Sequence, residues 1–338
     1  MSRPKTHFEF VVYLLVIVSI VYIFTLDIIQ NQPFYNLHDH FSLSNSNNVT
    51  GDELDQALAA ASTSDRTVII AVANKAYVDG DKPTMLDLFL EGFRAGEGTE
   101  GLINHLLIVA VDRTSYDRCR FLGLHCYKLE TDGVDLVGEK VYMSEDFIKM
   151  MWRRTLFLRD VIYRDFNFIF TDIDVLWLRD PFPYLTTKQP LDLQISTDKF
   201  RGNPWSESHR INTGFYMIRS NNKTRALFDA WYANKDNSTG LKEQDVLENL
   251  MRQGFFRELD LKVKFLNTLY FSGFCQDSRN ITLVATVHAN CCRGMAAKLA
   301  DLTMVAHNWK TYKRLASVNT TSTFRWSLHR ACWRSWRN

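Results

Sequence analysis

Two aspartates one residue apart, Asp172 and Asp174, close a short apolar run within Asn167 to Pro183, NFIFTDIDVLWLRDPFP. A buried strand that delivers two carboxylates to a sheet edge can hold a hard divalent cation, Mg²⁺ or Mn²⁺, against a diphosphate. Such ions take oxygen ligands and keep part of their shell for substrate phosphates. The same spacing also suits a strand that simply ends in acidic turn residues. Lys149 and Arg153 lie four apart, one turn of the preceding helix, and could face the same anion; a solvated basic helix face is the alternative.

The elements that must position these groups follow from periodicity. Thr67 to Ala73 is β-branched and apolar throughout, the pattern of a strand buried on both faces, and Met85 to Arg94 follows with helix-spaced Leu86, Phe89, Leu90 and Phe93. The alternation continues with a strand at Leu106 to Val111, a helix at Ser115 to Leu122, a strand at Cys126 to Leu129 and a long helix at Phe147 to Ile162 before the Phe168 strand. This predicts an α/β fold with a mainly parallel sheet and helices on both faces. Ligands of such sheets sit at the carboxyl ends of the strands, where Asp172 and Asp174 fall. The second half is less regular, with strands near Leu193 to Ser196, Phe215 to Ile218 and Val263 to Leu266, and helices near Arg225 to Ala233 and Glu243 to Arg252.

Arg3 and Lys5 precede an uncharged apolar run from Phe10 to Leu26, and no Ala-x-Ala pattern follows it. The expectation is an uncleaved membrane anchor at residues 8–29, a cytosolic tail at 1–7, a luminal stem at 30–62 and a catalytic domain at 63–338. Five N-x-[ST] sequons, at Asn48, Asn222, Asn237, Asn280 and Asn319, agree with a luminal address. So do six cysteines, all beyond the apolar run, an even number suited to disulfides in an oxidising compartment. Their connectivity is not legible, although adjacent Cys291 and Cys292 cannot easily bridge to each other, and no C-x2-C pair suggests zinc. A formal charge of +2 gives no sign of nucleic-acid binding. The run from Arg325 to Arg337, basic and carrying Trp326, Trp333 and Trp336, reads as an ordered tail packing its indoles or as a surface for an anionic partner.

FTDIDVLWLRDPFP, MLDLFLEGFRAGEG, LINHLLIVAVD, KMMWRRTLFL, INTGFYMIRSNN, EQDVL, FSGFC and VHANCCRGMAAKL together resemble the plant nucleotide-diphospho-sugar transferases of glycosyltransferase family 77. The resemblance covers about Thr67 to Trp309. It implies a GT-A-like fold and a retaining transfer of a pentose or galactose-type sugar from a nucleotide donor, UDP-linked, to a cell-wall polysaccharide or glycoprotein. It also implies Mn²⁺ or Mg²⁺ and a Golgi-resident type II membrane protein. Carried over by residue, Asp172 and Asp174 would be the metal and nucleotide carboxylates. His288 would complete the metal shell; its alternative is a structural histidine beside a disulfide, and His307 is the rival ligand in a segment that looks like packed helix. Lys298 would hold the diphosphate. Gly214 would allow close backbone approach and Asn212 would bond a sugar hydroxyl, against a plain turn before the Phe215 strand. Gln244 and Asp245 would position the donor sugar or shield its anomeric carbon, against simple capping of a helix. Glu243 and Glu248 depart from the related pattern.

Two other readings use the same residues. An apolar strand followed by Asp-x-Asp-x-Val also opens phosphatases of the haloacid-dehalogenase type, in which the first aspartate is a nucleophile. Against this, the pair lies about a hundred residues into its domain and lacks a downstream acidic doublet. A luminal lectin or assembly partner that kept the fold and lost turnover is the third reading, suggested by Glu243 and Glu248.

Overall fold

A computed structural model describes residues 51–131, 136–185, 190–278, 280–316, 324 and 326–337. The expected tail and anchor, and the stem as far as residue 50, lie outside the described residues. No helix among the described residues is long and apolar enough to cross a membrane.

Ten strands can be followed in chain order: β1 Thr67–Ala73, β2 Leu106–Ala110, β3 His125–Lys128, β4 Asn167–Thr171, β5 Val175–Trp177, β6 Leu193–Lys199, β7 Arg210–Ile218, β8 Val263–Phe265, β9 Phe271–Gly273 and β10 Thr286–His288. Seven form one sheet in the order β3-β2-β1-β4-β7-β6-β8, and β5, β10 and β9 form a second. In the large sheet β1 to β4 run parallel, β7 is antiparallel to both its neighbours, and β8 is parallel to β6. The α/β class and the mainly parallel sheet are therefore as expected. In the less regular second half, β6, β7 and β8 continue the same sheet, with β7 running back between β4 and β6, whereas β9 and β10 join β5 in the small one.

Both faces of the sheet are covered, which is why its strands read as unbroken apolar runs. Alternate residues of β1 serve opposite cores. Ile69, Ala71 and Ala73 face a layer that includes Leu86, Phe89 and Phe93 of helix Met85–Ala95 and Leu302, Val305 and Trp309 of helix Met295–Ala316. Val68 and Ile70 face Phe157, Leu158 and Val161 of helix Glu145–Tyr163 and Phe228 and Trp231 of helix Asn222–Ala233. Full burial of each such side chain stabilises the fold by about 1.5–3 kcal/mol, so both cores contribute to holding the central strands in place.

One boundary differs from expectation. Glu53–Ala61, inside the expected stem, is a helix capped by Asp52, and it buries Leu54, Leu58 and Ala61 in the second core. That spacing places the three on one face, a short amphipathic signal beside a polar stretch. Arg164 at the end of Glu145–Tyr163 pairs with Asp52 and Asp55, fastening this helix to the domain.

All six cysteines are paired, as Cys119–Cys126, Cys275–Cys291 and Cys292–Cys332. The adjacent Cys291 and Cys292 thus go to different partners and tie two distant segments to the chain just after β10.

Candidate active site

The large sheet ends and the small sheet begins at the aspartate pair. β4 stops at Thr171, Asp172 to Asp174 make a turn in which the Val175 amide donates to the Asp172 carbonyl at 3.2 Å, and β5 starts at once. β10 pairs antiparallel with β5 so that His288 lies opposite Val175. Register, not sequence proximity, thereby brings the imidazole to the carboxylates. His288 Nε2 is 3.3 Å from Asp174 Oδ1 and 3.9 Å from Asp172 Oδ2.

Gly214 completes this packing from β7. Its carbonyl accepts the Asp172 amide at 2.7 Å. A Cβ at this position would lie 2.3 Å from His288 Cε1 and 2.7 Å from Asp172 Oδ2, so only glycine lets the strand pass beneath both groups. Asn212–Gly214, read from sequence as either a site or a turn, lies within β7. The β6–β7 register breaks there, jumping from Ile195↔Tyr216 to Ser196↔Asn212. Irregularity of this kind re-aims side chains near a site. Asn212 Nδ2 donates to Asp198 Oδ1 at 2.8 Å, and Asn290 Nδ2 to the same oxygen at 2.9 Å.

Gly294, at φ 81°, turns the chain into helix Met295–Ala316, whose first turns bring Lys298 Nζ to 2.7 Å from Asp174 Oδ2. That oxygen is buried and makes no hydrogen bond of ordinary geometry; it faces the ammonium as an ion pair. Burial works against ionisation of Asp174, but Lys298 first and His288 second outweigh it and hold the carboxyl well below the usual carboxylate range. Asp172 is displaced the other way. It keeps 30% of its side chain exposed, yet desolvation pushes its carboxyl up, opposed by Arg154 and reinforced by Asp174. For His288 burial lowers the pKa, and Asp174 overcomes that, leaving the imidazole above its ordinary value.

Arg154 was not anticipated from sequence. It is buried, with Nη1 2.9 Å from Asp172 Oδ1 and Nη2 2.6 Å from Glu243 Oε1. Its signal was present: Arg154 shares helical phase with the buried Leu158 and Val161, and an arginine on an apolar helix face needs an acid partner. Glu243 also accepts from Thr213 Oγ1 at 2.8 Å, which gives the first residue of the Glu-Gln-Asp block a structural task. Gln244 lines the cleft, its Oε1 accepting the Thr213 amide at 3.1 Å.

Other expected residues fall elsewhere. Lys149 is exposed and pairs with Glu145 at 2.6 Å. Arg153 donates to the Glu130 carbonyl. One residue step, about 100° on a helix, separates Arg153 from the cleft-lining Arg154, and neither Lys149 nor Arg153 is among the residues lining the cleft. Asp245 pairs with Lys242 at 3.4 Å in the first turn of helix Glu243–Arg252 and is not among the residues lining the cleft. His307 is on the exposed side of helix Met295–Ala316, leaving His288 as the histidine beside the aspartates.

The resulting cleft has a volume of ≈ 350 Å³, with Asp172, Asp174, His288 and Lys298 among its lining. One ligand atom from each of Asp172, Asp174 and His288 lies within 4.8 Å of the others. Two carboxylate oxygens and one imidazole nitrogen suit Mn²⁺ or Mg²⁺ and leave coordination positions for substrate oxygens. Charge agrees. With His288 neutral, the four cations lining the cleft (Arg154, Arg210, Lys242, Lys298) balance its four carboxylates (Asp172, Asp174, Asp198, Glu243), so a bound divalent ion would leave it positive toward a diphosphate.

A doubly covered α/β sheet with acidic and basic groups converging at its strand ends has a place for a charged small molecule where such sheets bind their ligands. A family model described as nucleotide-diphospho-sugar transferase matches residues 101–302. The Arabidopsis thaliana protein At1g28695 is 54% identical over 90% of this chain and 90% of its own length. The beta-arabinofuranosyltransferase RAY1 of Arabidopsis thaliana is 24% identical over 57% of this chain and 34% of RAY1. Among solved structures, mouse xyloside xylosyltransferase 1 is 14% identical with a TM-score of 0.44, covering 67% of this chain and 98% of that one. The chain belongs to the nucleotide-diphospho-sugar transferase family and is a glycosyltransferase.

Proposed function

We propose that this chain is a metal-dependent, retaining glycosyltransferase that moves a pentose or galactose-type sugar from a UDP-linked donor to a cell-wall polysaccharide or glycoprotein. The observation that carries the reading is the convergence of Asp172, Asp174 and His288 with Lys298 beside them. Asp172, Asp174 and His288 would hold Mn²⁺ or Mg²⁺, which supplies charge stabilisation for a departing diphosphate. Lys298, already beside the carboxylates, is placed to bind diphosphate oxygens. Asn212 and Gln244 offer neutral polar groups to the sugar. Retaining stereochemistry is carried over from the sequence resemblance, and transfer of a pentose draws support from the activity named for RAY1.

A luminal address, with residues 8–29 as the anchor in a Golgi membrane, is part of the proposal. It is supported by the pairing of all six cysteines and by the exposure of the sequon residues Asn222, Asn237 and Asn280.

The test is to incubate the purified full-length chain with Mn²⁺ and a panel of UDP-sugars and follow slow donor hydrolysis, then the anomeric configuration of any transferred sugar by NMR. Turnover with one donor, abolished by a chelator and by Asp174→Ala, is the expected result. Turnover unaffected by Asp174→Ala would place the site elsewhere.

A further inference from the structure

The basic, tryptophan-bearing C-terminal run has no part in the donor chemistry above, yet it is fastened to the cleft with unusual thoroughness. Cys332 is joined to Cys292. The amides of Ala331 and Cys332 donate to the Asp301 carboxylate, at 3.3 and 2.8 Å. His329 stacks on Phe274 and lies 2.7 Å from Asp277 Oδ1. The Arg293 amide donates to Ser335 Oγ at 2.9 Å. Together these contacts fix helix Arg330–Arg334 and the residues on either side of it, and they lead to one side chain at the cleft.

That side chain is Trp336. It lines the same cleft as Asp172, Asp174 and His288, and 47% of it remains exposed. Its indole N–H is already used, donating to the Cys291 carbonyl at 2.7 Å. The Arg293 guanidinium covers one part of its ring at 4.0 Å. What remains open toward solvent is an apolar aromatic surface whose polar handle is satisfied and whose orientation is fixed from two sides. Tryptophans normally bury such area. A fixed, half-open indole at the mouth of a polar cleft is suited to a ligand with an apolar face and polar edges.

A sugar ring has that form, with C–H groups on its faces and hydroxyls on its rim. We propose that Trp336 is the stacking platform for the acceptor glycan, held in place by the Cys292–Cys332 disulfide. The inference rests on the glycosyltransferase reading and deepens it. The acceptor is favoured over the donor sugar because the donor's diphosphate would be held at the buried carboxylates, while the exposed indole meets what arrives from solvent. The adjacent Trp333, 52% exposed, is not among the residues lining the cleft and serves as an internal control.

The test uses the full-length chain with UDP and Mn²⁺ present, and arabino-, galacto- and xylo-hexasaccharides as probes, with binding followed by calorimetry. The expected result is that at least one probe binds and that Trp336→Ala weakens it about tenfold or more. Trp336→Phe should recover most of the affinity, and Trp333→Ala should match the parent. UDP affinity should stay the same in these three single variants. A C292S/C332S double variant, releasing the tail, should lose probe binding as Trp336→Ala does. No probe binding by a parent that binds UDP normally, or equal probe affinity in Trp336→Ala, would overturn the proposal. A parent that binds no UDP would refute the nucleotide-sugar reading itself, and this inference with it.

Discussion

His288 Nε2 lies 3.3 Å from Asp174 Oδ1 because β10 and β5 pair in the register that sets His288 opposite Val175. Three residues of each strand fix this geometry, and the disulfide Cys275–Cys291 clamps the chain just beyond. The histidine is thus a rigid partner to a carboxylate that Lys298 holds from the other side.

Removing that carboxylate should be costly twice over. Asp174→Ala leaves the Lys298 ammonium without its partner and deprives the cleft of a ligand oxygen. Donor hydrolysis should fall by at least about 10³-fold, to the level seen with a chelator, and Mn²⁺ binding measured by calorimetry should disappear. Retained Mn²⁺ affinity would show that the ion is held elsewhere.

Arg154 carries a different kind of effect. Arg154→Met leaves Asp172 and the buried Glu243 uncompensated, and breaking a buried pair in this way typically costs about 3–5 kcal/mol. Chemical denaturation should show a loss of that order. Pairing it with Glu243→Gln should recover part of the loss, because one of the stranded charges is then gone; simple additivity in the double variant would mean that the two residues do not act together.

Gly214→Ala separates shape from charge. The added methyl collides with His288 and Asp172, so Mn²⁺ affinity should drop about tenfold or more. Far-UV circular dichroism should remain that of the parent, since the added methyl in mid-β7 meets the His288 and Asp172 side chains and neither core. An unchanged affinity would mean that the histidine can move away without loss.

Lys149→Ala should leave kcat/KM for the donor within about twofold, because the ammonium is exposed and spends its interaction on Glu145. A large fall in donor binding would return Lys149 to the site.

Asp87 makes a stability contribution that depends on pH. It closes the capping box of helix Met85–Ala95 with Thr84 and pairs with Arg118 at 2.7 Å. Burial raises its pKa, but the Thr84 amide and Arg118 prevail and hold the carboxyl below its ordinary value. A depressed folded-state pKa stabilises the fold above the unfolded value and loses that contribution as pH falls through the folded one. Asp87→Asn should therefore cost about 1 kcal/mol near neutrality, with the difference from the parent shrinking below about pH 4. A pH-independent difference would assign the effect to packing.

Much of this molecule is written locally. The continuous apolar runs of β1, β2 and β4 reveal a sheet buried on both faces, and the 3.6-residue spacing of Leu86, Phe89 and Phe93 reveals the helix that covers it, because both patterns are repeats within one element. The aspartate pair is legible for the same reason, as the end of such a run, and the ordered sequence blocks name the family. Other features have no local signature. β5, β9 and β10 are three residues each, too short for any period, yet their pairing is what carries His288 to Asp174. The choice between Arg153 and Arg154 turned on which side of one helix faces the cleft, and the acidic partners that make a buried arginine tolerable come from the turn after β4 and from a distant helix. Lys298 and Trp336 reach the cleft only because a long helix and a disulfide fold the C-terminal part of the chain back over it. Sequence by itself determined the longer strands and helices, their apolar faces and the aspartate pair. The tertiary structure decided which charges meet, since ion pairs and cross-strand register depend on distances between segments that the order of residues does not encode.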